Sequence, residues 1–427
     1  MKKKEIIPKI RFKGFTNAWE QESFSNIFDY SIPNNTLSRA ELNDEEGIIK
    51  NIHYGDILIK YGDVLDISQN NIPYITNGDF KKYKNYLLKN GDIIFADTAE
   101  DETTGKAIEI NNIGNNFVVS GLHTIICRPK QKKQPYYLGY YINSSAYHNQ
   151  LLPLLQGIKV YSISKSNLAK TYVKFPIEKR EQANIGKLFL KIDKLLSLHQ
   201  RKCKKLQNIK KSLLEKMFPK NNEKFPEIRF KNFTNAWEQC KLKDISERIL
   251  RKNTHLESTL PLTISAQYGL VDQFTYFNNR VASKNINNYF LLKKGDFAYN
   301  KSYSEGYPFG VIKCLENYKQ GVLSTLYIVF KPNNQYVDNQ YLIAYYDTNK
   351  WHKSIAERAS EGARNHGLLN ISAEDFFTTQ LRIPKNIKEQ VAIGKVFKKL
   401  DKLITLHQRQ VEKLQNIKKA LLEKMFV

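Results

Sequence analysis

Apolar positions recur on two different periods along this chain, and the change of period marks its organisation. From Gly186 onward, and again from Gly394, a long run continues without Pro or interior Gly. Steps of seven from Ile185 land on Ile192, His199, Leu206 and Leu213, beside Leu188, Leu195, Lys202 and Ile209. The second run answers with Ile393, Leu400, His407, Leu414 and Leu421, beside Val396, Leu403, Gln410 and Ile417. Such a seam, kept over about five heptads, predicts a coiled-coil helix in each place. At 1.5 Å per residue each helix is about 57 Å long, too long to bury itself inside one small domain. The two are therefore expected to pack on each other. Elsewhere, short apolar runs broken by Asn, Gly and Asp predict strands and turns, with helices near 137–150 and 341–360.

The two helical runs are copies. Glu181 to Phe218 and Glu389 to Phe426 share 27 of 38 residues at an offset of 208. A shorter repeat opens each half: "PKIRFKGFTNAWEQ" from Pro8 matches "PEIRFKNFTNAWEQ" from Pro226 at 12 of 14 positions. The segments between these constant blocks diverge but keep a faint register. "LKNGDIIFA" at Leu88 answers "LKKGDFAYN" at Leu292, and "YLGYYINSSAYH" at Tyr137 answers "YLIAYYDTNKWH" at Tyr341. Internal repeats of this kind fix the architecture before any local detail. The predicted organisation is a repeat element at 1–21, a variable domain at 22–176 and a constant helix at 177–218. A linker with the second repeat element follows at 219–239, then a variable domain at 240–384 and a constant helix at 385–427. The expected fold is α+β, with two similar domains, each built on a twisted or barrel-like sheet. Two long antiparallel coiled-coil helices join them in a pseudo-two-fold repeat.

Duplication about a two-fold axis places His199 and His407 at equivalent seam positions. They are expected to approach one another there, with Lys202 and Gln410 nearby as a polar layer that sets register. Cys203 lies within reach at i+4, but no carboxylate or second thiol completes a metal-ligand set. Cys127, Cys203, Cys240 and Cys314 show no CxxC spacing and read as packing residues.

Composition sharpens the picture. The 427 residues carry 67 Lys and Arg against 42 Asp and Glu, a net charge of +25. The excess suggests a polyanionic partner, most often nucleic acid, although a chain rich in Asn, Ile and Tyr gains Lys from compositional bias as well. Residues 179–218 contribute +9 and residues 385–426 contribute +7, so the helices hold most of the charge. That stripe faces either DNA or acidic partner surfaces. No stretch is apolar enough to span a membrane, and the basic start lacks an apolar signal segment before Pro8, so a cytoplasmic location is expected.

Catalytic signatures are missing. The sequence has no GxxxxGK[ST] loop, no GxGxxG after a strand, no HExxH and no GxSxG. It also lacks the Asn/Asp-Pro-Pro-aromatic tetrapeptide with which amino-methyltransferases hold a flipped base. Two diverged domains on a rigid symmetric frame suit a reader of two different DNA half-sites separated by a gap.

"IRFKGFTNAWEQ", the "GDI" turns, "IPYITNGDF" at Ile72, and "FPIEKREQANIGKLFLKIDKLL" with its copy together resemble the specificity subunit of type I restriction-modification systems. The resemblance covers essentially the whole chain and implies two target-recognition domains reading a bipartite asymmetric site in double-stranded DNA. It implies two modification subunits that methylate adenine with S-adenosylmethionine. Two restriction subunits that use ATP with Mg are implied as well. On this reading the chain itself binds no cofactor or metal and is not an enzyme. The alternative is a stand-alone architectural or regulatory DNA-binding protein; a self-contained methyltransferase is a third reading, which binding of S-adenosylmethionine by this chain alone would support.

The repeated twelve residues should then be frame, with Phe12, Phe15 and Trp19, and Phe230, Phe233 and Trp237, as core anchors. Readers should lie where the halves differ. In the first half these are Thr76, Asn77, the loop "DTAEDETTGK" with Thr104 and Lys106, and "QGIKVYS" with Gln156, Lys159 and Tyr161. In the second they are Ser265, Gln267, Tyr268, Asn300, Lys301, Ser302, Tyr303, Arg364 and Asn365. Arg364 has the fork to read guanine, and Asn300, Asn365 or Gln267 the amide to read adenine. Thr104, Lys106, Lys159, Lys301 and Ser302 suit phosphates, which position without specifying. His366 reads as structural.

Overall fold

The computed structural model describes residues 6–220, 223–279, 282–283, 285–359 and 369–427. It divides into two compact units, Met1–Gln200 with Arg409–Val427, and Arg201–Gln408. The long helices run Lys179–Lys216 and Ile387–Met425, so each begins in one unit and ends in the other.

Each variable segment has its own main sheet, and the two sheets have the same strand order. In the first unit its strand order is Phe28–Asp29, Thr124–Pro129, Ile93–Ala96, Ala107–Asn111 and Val64–Asp66. In the second it is Ser246–Arg248, Ile328–Pro332, Phe297–Asn300 and Val311–Cys314, the same order without the fifth strand. The repeated "GD" turns explain part of this likeness. Asp92 accepts the Lys89 N–H and both Nε and Nη2 of Arg128. Asp296 likewise accepts the Lys293 N–H and Nη2 of Arg251. In each unit the strands are divided among several small sheets. Strands of two to six residues are too short to carry one ladder around a whole core. The first unit adds a four-stranded sheet in which Phe117–Ser120 pairs parallel to Ile49–Ile52. The second unit has two separate antiparallel pairs, Leu262–Ser265 with Gly269–Asp272 and Phe290–Lys293 with Gln320–Leu323.

The constant repeats form the frame. Within each unit the helix segments run antiparallel. In the first, Phe189 stacks on Phe426 at 5.6 Å and Asp193 meets Lys418; in the second, Phe397 lies 5.9 Å from Phe218 and Asp401 meets Lys210. Each helix thus delivers its terminal Met-Phe into the core of a unit. Phe426 packs against Trp19, Tyr137 and Tyr141, and Phe218 against Trp237, Tyr341 and Tyr345. Fully burying such a ring contributes about 1.5–3 kcal/mol. The glycines inside the helices allow close approach: a Cβ at Gly186 would meet the Pro135 carbonyl at 2.8 Å, and one at Gly394 would meet the Gln340 Cβ at 2.7 Å.

The twelve-residue repeats dock on these helix ends. The Ile10 N–H donates to the Lys424 carbonyl and the Ile228 N–H to the Lys216 carbonyl, each at 2.9 Å. Arg11 grips the buried Glu181 through Nε and Nη2 at 2.6 and 2.8 Å; Arg229 grips Glu389 at 2.7 and 2.8 Å. The strands that follow, Glu20–Ser23 and Glu238–Lys241, pair antiparallel with Tyr172–Phe175 and Gln380–Ile383, the last strands before the helices. Trp19 and Trp237 are buried, while Phe12, Phe15, Phe230 and Phe233 are partly buried.

The seam corrects one sequence expectation. Ile185, Ile192, Leu206 and Leu213 are buried or half-buried, as are Ile393, Leu400, Leu414 and Leu421; His199 and His407 are half-buried, one in each unit. The flanking series fails toward the C-terminal ends: Lys202, Ile209 and Ile417 are exposed, while Cys203, Lys210, Val411 and Lys418 turn inward. A straight helix drifts about 20° per heptad against a 3.5-residue repeat, which moves the inner position from a+3 to a+4.

Candidate nucleic-acid interface

In the first unit, two divergent segments come together. Strand Ile93–Ala96 runs into the loop 97–106, where Thr98–Ala99 pairs with Tyr161–Ser162. Tyr161–Ser162 is one arm of a turn closed by hydrogen bonds between Gln156 and Ser162 in both directions. Gln156 and Lys159 are exposed and Tyr161 is half-buried; between them Ile158 is 92% exposed, an apolar tip that a search for polar readers overlooks. Thr76 and Asn77 are exposed in the turn after strand Tyr74–Ile75 of the four-stranded sheet, where Asn43 Nδ2 donates to Thr76 Oγ1 at 3.3 Å.

Two expected phosphate contacts in this loop are frame instead. Thr104 is fully buried, and its hydroxyl donates to the Asp101 carbonyl at 3.0 Å and lies 3.3 Å from the Tyr161 carbonyl. Lys106 donates to the carbonyls of Leu58 and Tyr61 at 3.0 and 2.9 Å, and burial pushes its pKa down. The loop surface is acidic, carrying Asp97, Glu100, Asp101 and Glu102. Ser31, Ser68 and Thr103 tie down Asp29, Asp66 and Asp101 in the same way, so hydroxyls near carboxylates are turn-formers here.

In the second unit, the corresponding loop follows Phe297–Asn300. The Asn300 carboxamide oxygen accepts the Ser302 N–H at 3.0 Å; Lys301 donates to the Ile371 carbonyl at 3.3 Å and accepts, at its own carbonyl, the Leu369 N–H. Asn300, Lys301 and Ser302 are half-buried, while Tyr303 is exposed. Ser265 is buried and accepts the Tyr268 N–H at 3.2 Å, which ties its hydroxyl into the turn; Gln267 and Tyr268 are exposed. Gln267 and Tyr307 line one cleft of about 530 Å³ together with Gln207 and Lys211 of the long helix. Arg364, Asn365 and His366 lie outside the described residues.

Sequence reasoning missed the charged contacts that hold each domain on the helices. Lys210 Nζ lies 2.7 Å from Asp401 of the facing helix and 2.9 Å from Asp347, which also receives Lys313 at 2.9 Å. Lys418 Nζ lies 2.7 Å from both Asp193 and Asp63, and Tyr140 donates to Asp193 at 2.7 Å. Burial opposes the charge of Asp347, yet Lys313 and Lys210 hold its pKa below the usual carboxylate value. Burial wins at Asp63, whose pKa is raised despite Lys418. The signal was present: Lys210 and Lys418 stand at the same place in "KLQNIKK", one residue beyond the apolar position assigned to the seam. Among the described residues no cluster of three His, Cys, Asp or Glu side chains is placed to hold a metal, and no helix is long and apolar enough to cross a membrane.

The family model of the type I restriction modification DNA specificity domain matches this chain twice, over residues 18–208 and 234–416. The chain belongs to that family. Each match spans one variable segment and most of the constant helix that follows it, and takes in only the end of the short repeat that precedes it. A curated relative, the "Putative type I restriction enzyme MjaX specificity subunit" of Methanocaldococcus jannaschii, is 25% identical over 255 residues. That alignment spans 56% of this chain and about half of the relative, 55% of its length. Among solved structures, the type I restriction-modification system S subunit from M. genitalium matches with a TM-score of 0.64 at 14% identity, covering 99% of both chains. At that identity the likeness concerns the fold, which extends over the entire specificity-domain chain.

Proposed function

We propose that this chain is the DNA-reading subunit of a type I restriction-modification complex. One observation carries the reading: a family of DNA specificity domains matches twice, on two domains whose main sheets have the same strand order and whose loops differ. Identical readers on a two-fold frame would call for a palindrome; divergent readers call for two unlike half-sites with a gap between them. The exposed residues Thr76, Asn77, Gln156, Lys159, Gln267, Tyr268 and Tyr303 are the first candidates for contact with DNA. Arg364 and Asn365 remain candidates by residue type.

The chain supplies recognition and the partners supply chemistry. Two modification subunits carry S-adenosylmethionine and methylate adenine; two restriction subunits carry ATP with Mg. The basic helices, with Lys187, Lys191 and Lys194 exposed in one unit and Lys202, Lys204 and Lys205 in the other, offer a charged surface for these assemblies. The test is a methylation map. The chain is co-expressed with a modification subunit of its own system in a host without adenine methylation, and native DNA is read for modified adenine. A single bipartite, non-palindromic motif with a fixed gap is the expected result. A complex that assembles yet methylates a palindrome, or absence of any complex, would contradict the reading.

A further inference from the structure

The lysines at equivalent places in the two helices do more than fill the seam. Lys210 reaches in two directions at once, to Asp401 on the facing helix and to Asp347 at the end of helix Asn339–Tyr346 in the recognition domain. Lys313, on strand Val311–Cys314, closes the group from the sheet side. Lys418, 208 positions later, reaches Asp193 on its facing helix and Asp63 beside strand Val64–Asp66 of the other domain. These side chains are largely buried: Lys210 and Lys418 keep 18% and 19% of their surface, Asp347 and Asp63 keep 20% and 16%. Each lysine therefore joins three bodies within its unit: its own helix, the antiparallel helix and the recognition domain.

An apolar contact at this place would hold helix against helix equally well but would fix direction weakly, because apolar burial is non-directional. A short ammonium–carboxylate contact is directional, and a buried ionic group is best attested as a device that sets register. Half-buried Leu206, Leu213 and Leu214 flank Lys210, and Leu414, Leu421 and Leu422 flank Lys418, so each lysine interrupts an apolar stretch where a domain carboxylate meets it.

We propose that Lys210 and Lys418 are positioning residues that fix the angle of each recognition domain on the helix pair, and so determine which gap between half-sites is accepted. The inference rests on the DNA-reading function proposed above. Loss of either lysine leaves the half-site sequences unchanged and loosens the gap.

The experiment uses the full chain in complex with its modification subunits. Lys210→Met keeps the buried stem and removes the charge; Lys210→Arg is the conservative control. Methylation is measured on duplexes with native half-sites and gaps that are native, one base pair longer or one shorter. In parallel, a pair of spin labels, one on the helix and one on the recognition domain of the same unit, reports their separation. Wild type is expected to prefer the native gap, Lys210→Met to lose at least tenfold of that preference with a broadened distance distribution, and Lys210→Arg to recover most of it. If Lys210→Met does not fold, Asp347→Asn, which leaves the Lys210–Asp401 pair intact, carries the same expectation. A folded variant with unchanged gap preference overturns the proposal, whatever its stability. A wild-type complex that reads no bipartite site overturns the underlying function and the proposal with it, and that failure is visible before any variant is made.

Discussion

The two recognition domains share a sheet order and differ in what they mount on it. In the first, the loop after the central strand is acidic, tied down by Thr104 and Lys106, and set beside the apolar tip at Ile158. In the second, the same loop carries Lys301 and Glu305 and presents Tyr303 and Tyr307. The frames beneath them hardly differ: an arginine on a buried glutamate, a tryptophan, a terminal Met-Phe and a lysine bridging two aspartates recur in both. Constancy below and divergence above is what separates a mount from a reader. Small differences inside the mount then become useful, because they predict unequal responses from the two units.

The largest expected effect comes from the buried glutamates. Removing the arginine that pairs with a buried carboxylate costs about 3–5 kcal/mol. Trp237 Nε1 also donates to Glu389 at 3.2 Å, whereas Trp19 Nε1 has no partner among the described residues. Arg11→Ala should therefore destabilise its unit more than Arg229→Ala does, by about 1.5–3 kcal/mol, the scale of one hydrogen bond to a charged group. Denaturant unfolding followed by probes placed in each unit measures both; equal losses would mean the tryptophan contact contributes nothing.

The terminal phenylalanines give a crossed result. Phe218→Ala and Phe426→Ala should each cost about 3–5 kcal/mol. Hydrogen exchange should locate the loss from Phe218→Ala in residues 240–384 and that from Phe426→Ala in residues 22–176, although each side chain belongs to the helix that began in the opposite unit. Loss confined to the domain preceding the mutated helix would contradict the exchange of helix ends.

A smaller difference concerns pH. Asp347, held low by Lys313 and Lys210, contributes stability above the ordinary carboxylate value that is lost as pH falls through its depressed value. Asp63 has the opposite sign: its raised pKa means the folded state holds the proton more readily, so its contribution is present at low pH and lost as pH rises through the raised value. Asp347→Asn should flatten the acid limb of stability, and Asp63→Asn should flatten a slope of opposite sign lying above the ordinary carboxylate range. Matching slopes for the two variants would show that the two lysine bridges are electrostatically alike.

At the bottom of the scale lie the exposed loop residues. Gln267→Ala, Tyr303→Ala and Lys159→Ala should change stability by less than about 0.5 kcal/mol. Lys159→Ala should lower the salt slope of DNA binding by about one if it touches a phosphate.

The frame was legible in the sequence because it was written twice. The repeats predict a long helix in each half and a core role for Trp19 and Trp237, and both helices and both buried tryptophans are present. The faint register between Leu88 and Leu292 anticipated the shared strand order, since the Gly-Asp turn and its buried aspartate recur there. Two things were hidden. Heptad counting assigned Ile209 and Ile417 to the seam, but helical drift put Lys210 and Lys418 there, and nothing in the sequence announced the carboxylates waiting at Asp347 and Asp63. In the loops, Thr104, Lys106 and Ser265 looked available because polar residues between strands usually are. The hydrogen bonds of Thr104 and Ser265 depend on how their turns close, and those of Lys106 on the distant carbonyls of Leu58 and Tyr61, none of which residue type encodes.

The most direct test of one constant mount carrying two independent readers is a graft. Residues 22–176 are replaced by the corresponding domain of another family member with a different target, and the methylated motif is mapped again. The account predicts that one half-site changes while the other half-site and the gap stay as they were. A change in both half-sites, or in neither, would contradict it.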